Sequence, residues 1–186
     1  MKAVHFVIGC TVAALLIAAS ARGAVLESNA QGFAIEEKAD IAAPPDRVYD
    51  ALIHPEKWWN PAHTFSHDAK NLSLMATAGS CLCETLPDGG SVEHLSVIRV
   101  VPGKMLRMKG AMGPFQGQGL EGALTFTLAQ QDDGTSLTLD YNIGGFIRGG
   151  FGKLPEAGDA MATDLVARLK RYVETGTPDA AGQNRE

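Results

Sequence analysis

Between Leu72 and Ile143 the chain repeats one pattern six times: a run of alternating apolar and polar residues, closed by turn formers. Period-two alternation marks strands with one face in a core. The runs are Leu72 to Ala76, Ser80 to Leu86, Ser91 to Val101, Lys104 to Ala111, Gly122 to Gln130 and Ser136 to Ile143. An antiparallel meander of this kind must have one face covered. Glu156 to Thr175 is the segment long enough to cover it, and its Met161, Leu165, Val166, Leu169, Tyr172 and Val173 fall on one helical face.

Upstream, Phe33 to Ala43 alternates in part and reads as a first strand. Pro44-Pro45-Asp46 then starts a helix with Val48, Ala51 and Leu52 on its apolar side. His54-Pro55 breaks it, and a second short helical turn carries Trp58 and Trp59. The order predicts an α+β fold, with a seven-stranded curved antiparallel sheet, a long C-terminal helix and two short helices after the first strand. Residues 1–23 read as a signal peptide: Lys2 precedes an apolar run to Ala19, and small residues allow cleavage after Ala21 or Gly23. Residues 24–32 form a polar lead-in, 33–175 one domain and 176–186 a disordered tail. The expected location is periplasmic or secreted. The apolar run is too short for a comfortable membrane span, so no stable insertion is expected after cleavage. A net charge of -5 without a basic stripe argues against nucleic acid and anionic membranes as partners.

The proline-rich helix start Ala43 to Leu52, the aromatic Trp58-Trp59 pair, the Val101-Pro102-Gly103-Lys104 turn and the glycine-rich Gly144 to Gly152 before a long helix resemble the SRPBCC or START-like superfamily. Within it the chain is similar to the branch of activator of heat-shock-protein ATPase homologues, with polyketide cyclase or dehydratase-like relatives. The resemblance implies a helix-grip fold holding a deep, mostly apolar cavity. A cytosolic co-chaperone role does not fit a signal peptide.

Inside that frame, the hairpin from Ser80 to Val101 holds Cys81, Cys83, Glu84, His94 and Ser96. Avoiding a buried carboxylate favours an even loop, Asp88-Gly89 or Pro87 to Gly90, which sets Cys83 opposite His94 and Cys81 opposite Ser96. A three-residue loop would instead bring Glu84 beside His94. Cysteines two apart on a flat strand lie about 6.6 Å apart between Cα atoms, so a bridge would be strained and reducible. The residues expected to meet a ligand are Trp58, Trp59, Cys81, Cys83, His94, Ser96, Met108, Phe126 and Tyr141. The expected ligand is a small apolar or amphipathic molecule, bound without cofactor in a role that leans non-catalytic. The alternative is a cyclase or dehydratase using His94 as acid and base, with Cys83 and Glu84 as weaker catalytic candidates. A second alternative is metal binding through His63, His67, Cys81, Cys83 and His94.

Overall fold

A computed structural model describes residues 22–180. Eight strands form a single antiparallel sheet in the order β1-β2-β8-β7-β6-β5-β4-β3. They are β1 (Arg22–Ser28), β2 (Gly32–Ile41), β3 (Leu72–Leu74), β4 (Cys81–Thr85), β5 (Ser91–Val101), β6 (Met105–Lys109), β7 (Gly119–Gln131) and β8 (Gly134–Phe146). Among the described residues two α-helices accompany them, α1 (Pro45–Leu52) and α2 (Leu154–Thr175). This is the expected helix-grip α+β arrangement with one strand more.

The additional strand is β1, which pairs antiparallel with β2 across residues predicted to be a polar lead-in. Its sequence lacks alternation because it is an edge strand with little core to face; Leu26 is largely exposed. The predicted tail is likewise partly fixed. Gly176 caps α2 with φ +82°, its N–H donating to the Tyr172 carbonyl, and Arg168 pairs with Asp179 at 2.8 Å. The predicted signal peptide lies outside the described residues apart from Arg22 and Gly23, the first two positions of β1.

Regular alternation gives β2, β6 and β8 an inner face of Phe33, Ile35, Ile41, Leu106, Met108, Leu137, Leu139, Tyr141 and Ile143. Helix α2 lies on β2 and lays Ala162, Leu165, Val166, Leu169 and Val173 onto this face. It can approach closely at Gly158, where a Cβ would sit 2.9 Å from Ile35 Cδ1. Of the two helices predicted early in the chain, the first is α1, with Pro45 in its first turn. The second is a single 3₁₀ turn, Pro55–Lys57.

Candidate functional site

The chain entering the site is held from below. Trp58 is buried and its Nε1 donates to the Ala51 carbonyl at 2.9 Å. The Arg168 guanidinium of α2 donates to the carbonyls of Trp58 and Trp59. Asn60 then caps a 3₁₀ turn, Pro61–His63, by accepting from the Ala62 amide, and its side-chain nitrogen donates to Asp164 of α2 at 2.8 Å. These bonds hold the start of the segment from Trp59 to Phe65 against the middle of α2.

Between that segment, the Met112 to Phe115 turn and α2 lies a cavity of about 430 Å³. Trp59, Phe65, Met112, Phe115 and Met161 supply apolar surface, and His63, Thr64 and His94 supply polar atoms. His63 sits at the rim, 3.7 Å from the Asp164 carboxylate.

His94 is buried in the wall, and its Nε2 lies 2.8 Å from Glu84 Oε2. Glu84 is also fully buried and accepts the backbone amides of Phe65 at 3.0 Å and Ser66 at 2.5 Å. Burial pushes its carboxyl up, but the Ser66 side chain, these two amides and the imidazole outweigh burial and hold it below the ordinary carboxylate range. Because the carboxylate accepts, Nε2 is the donor. Nδ1, which has no hydrogen-bond partner among the described residues, is left as the nitrogen able to take or give a proton. The Phe65 ring lies over His94 with centroids 5.8 Å apart. One carboxylate thus orients the imidazole and ties down the loop that walls the cavity.

The hairpin differs from its favoured reading in an instructive way. Its loop has three residues, Pro87 to Gly89, closed by the Leu86 amide on the Gly90 carbonyl. At the tip Cys83 pairs with Glu93 and Glu84 with Val92, yet farther on Leu82 pairs with Leu95 and Cys81 with Ser96. His94 is the extra residue of a β-bulge between the two registers. Glu84 is therefore inside, beside His94, because three donors remove the cost that argued against burying it. Cys81 and Cys83 are turned to the other face and joined as a disulfide, with Cα atoms 5.4 Å apart. That separation is shorter than the roughly 6.6 Å of two steps along a flat strand.

Of the residues expected to meet a ligand, Trp59 and His94 line the cavity. Trp58 packs under it, while Cys81, Cys83 and Ser96 are outside its wall. Met108, Phe126 and Tyr141 face inward as alternation predicts, but they fill the core; the Tyr141 hydroxyl donates to the Gly110 carbonyl and accepts from the Met112 amide. The metal alternative fails on its ligands. Both sulfurs are in the disulfide, and among the described residues no three His, Cys, Asp or Glu side chains converge on a metal position. Sequence reasoning missed Thr64, Phe65, Met112, Phe115 and Met161 as cavity residues, since they sit on turns or on a helix face assigned wholly to the core.

No curated protein matches the chain. Among solved structures it is similar to DynU16, a putative protein in the dynemicin biosynthetic locus, at 27% identity and TM-score 0.53, over 78% of this chain but only 48% of that one, so the chain spans about half of that relative. It is also similar to the protein CV1439 from Chromobacterium violaceum, at 22% identity and TM-score 0.54, over 76% of this chain and 96% of that one. A third is the Aha1 dimer from Colwellia psychrerythraea, at 19% identity and TM-score 0.51, over 77% and 97%. The family described as activator of Hsp90 ATPase homolog 1-like protein matches residues 42–174, most of the sequence. With that match and the helix-grip sheet, the chain belongs to this family of the SRPBCC superfamily.

Proposed function

We propose that this chain is an exported protein that binds a small apolar or amphipathic molecule in the cavity beside α2. The carrying observation is the cavity itself: about 430 Å³, walled by three aromatic rings and two methionines, with His63, Thr64 and His94 as its polar handles. That composition suits a ligand with a largely apolar body and one or two polar atoms. The biosynthetic locus of DynU16 agrees with a small-molecule partner, although only half of that relative is represented here. Export is supported by Lys2, the apolar run to Ala19 and the small residues after it, and a disulfide suits an oxidising compartment. Cleavage after Ala21 would leave β1 whole. None of the described helices is long and apolar enough to cross a membrane.

Native mass spectrometry of the protein taken from its own host tests both parts. The expected result is a mature chain beginning at Arg22 or Ala24 with a co-purified small molecule, displaced in a Met161→Trp variant that fills the cavity. An uncleaved chain overturns export. A ligand retained in Met161→Trp overturns the assignment to this cavity.

A second reading is favoured by one observation, the bond from His94 to Glu84. An imidazole oriented by an ionised carboxylate and left with a free Nδ1 at a cavity wall is equipped for proton transfer on a bound ligand. A cyclase or dehydratase would use it so. His94→Gln should then abolish turnover of the molecule identified above while leaving it bound; a ligand recovered unaltered from native protein after incubation excludes this reading.

A further inference from the structure

The pairing of Glu84 with His94 depends on a junction between two strand registers, and the Cys81–Cys83 disulfide spans that junction. On the tip side the paired positions are Cys83 with Glu93 and Glu84 with Val92; on the far side they are Leu82 with Leu95 and Cys81 with Ser96. From Cys81 to Cys83, β4 advances two residues while β5 runs back three, from Ser96 to Glu93. The strands stay paired because β5 takes up its extra residue, His94, as a bulge; β4 opposite it is short, its Cys81 and Cys83 Cα atoms at 5.4 Å compared with about 6.6 Å for two steps of flat strand, which leaves β5 the more length to absorb. A bridge that encloses a single residue constrains the unfolded chain little, so global stability is a poor reason for it. Its geometric effect is local. It holds β4 short, and a short β4 leaves β5 with the excess length that the bulge at His94 takes up.

The two sides of the junction are not equally secured. The far side holds Leu82, Leu95 and Val97 in the core and is continuous with the β5–β6 ladder. The tip side is a short ladder ending in a three-residue loop, with exposed Thr85, Glu93 and Ser91. If β4 lengthens, the tip is the part that yields. Continuing the far register through it places His94 opposite Cys83 and so turns His94 to the outer face, while Glu84, two residues from buried Leu82, stays inside without it.

We propose that the Cys81–Cys83 disulfide is a positioning clamp for the cavity wall: oxidised, it holds Glu84 against His94, and opened by a dithiol it releases that contact. This rests on the reading of the cavity as a binding site. In the opening step a thiolate of the dithiol attacks one cysteine sulfur, breaking the bridge and forming a mixed disulfide. Its second thiolate then displaces the protein sulfur. The protein gains two electrons and two protons as two thiols, and the reagent leaves as its own disulfide. Both cysteines are partly exposed, on the face away from Glu84 and Leu82, which gives a reagent access without entering the cavity.

The test compares oxidised protein, dithiothreitol-reduced protein with its thiols counted, and a Cys81→Ser/Cys83→Ser double variant, all labelled with ¹⁵N-histidine. The clamp is read from the hydrogen-bonded Nε2–H resonance of His94, identified by its loss in His94→Gln. Expected is loss of that resonance in the reduced protein and in the double variant, its return on reoxidation, and a thermal unfolding midpoint that shows both forms folded. A resonance that persists with both thiols free overturns the clamp, as does global unfolding on reduction, which would make the bridge a staple. Binding is read separately with the fluorescent apolar anion 8-anilinonaphthalene-1-sulfonate. Affinity weaker by about tenfold or more in the reduced form is expected for a displaced wall. No binding to the oxidised form, with the resonance still redox-dependent, overturns the binding site and upholds the clamp.

Discussion

Two glutamates are buried among the described residues, and their surroundings push them in opposite directions. Glu84 on β4 receives two backbone amides and an imidazole, and its carboxyl lies below the ordinary range. Glu37 on β2, under α2, accepts one bond, from the Thr163 hydroxyl at 2.7 Å. Its second oxygen and one oxygen of Asp159 are buried without a partner among the described residues. Burial raises the Glu37 carboxyl, the Thr163 bond lowers it less, and the nearby Asp159 raises it further. Burial is common to both sites; the supply of donors separates them. Glu84 is built to be charged, and Glu37 to be protonated more readily than a free carboxyl.

The largest effect should come from breaking the satisfied site. Glu84→Ala leaves His94 and two amides without an acceptor in the core, and a loss of about 3–5 kcal/mol is expected from urea unfolding at neutral pH. A loss below about 1 kcal/mol would show that water replaces the carboxylate and that the network is not a unit.

Glu37 should behave in the opposite sense. Glu37→Leu removes a poorly partnered carboxylate from an apolar interface, and a gain of roughly 1 kcal/mol or more is expected at neutral pH. A loss comparable with that of Glu84→Ala would mean that Glu37 and Asp159 are better satisfied than their contacts indicate.

The pH dependence carries the same contrast with the sign reversed. For Glu84 the folded carboxyl lies below its unfolded value, so its contribution is present above the unfolded pKa and lost as pH falls toward the folded one. For Glu37 the folded carboxyl lies above the ordinary 4.5, so its contribution is complete below that value and lost as pH rises through the folded pKa. Urea midpoints measured against pH should therefore show Glu84→Gln flattening the acid limb. Glu37→Gln should flatten the decline above pH 4.5. If both variants alter the same limb, the two sites are not opposites.

How visible this contrast is in the sequence depends on what breaks alternation. On β2, Phe33, Ile35, Ala39 and Ile41 are buried, and strict parity places Glu37 among them; the adjoining Glu36 and Lys38 disguise it as part of a polar run. On β4 and β5 parity alone could not decide, because the bulge puts His94, Leu95 and Val97 all inside. Both registers weighed for the hairpin are present, one on each side of His94. A rule against buried carboxylates selected the wrong one at the tip, since amides of Phe65 and Ser66 arrive from a loop whose position no local pattern reveals. The helix-grip frame was legible for the opposite reason: its strands and α2 rest on long regular periodicities. The cavity occupies the irregular places between them, on the turns at Pro61 to Phe65 and Met112 to Phe115, where composition indicates a loop and says nothing of what it encloses.

The smallest effect tests whether donor supply really is the variable. Thr163→Val keeps the shape of the side chain and removes the hydroxyl that donates to Glu37. Starting from the native chain it should cost about 1 kcal/mol at neutral pH, where the bond stabilises the ionised form, and less in acid, where Glu37 is neutral and has a proton of its own to donate. Starting from Glu37→Leu the same change should cost nearly nothing, because the acceptor is gone. The difference between the two costs isolates the bond itself. Equal costs in both backgrounds would assign the effect of Thr163 to packing of α2 on β2, and the raised Glu37 carboxyl would then owe its position to burial and Asp159 alone.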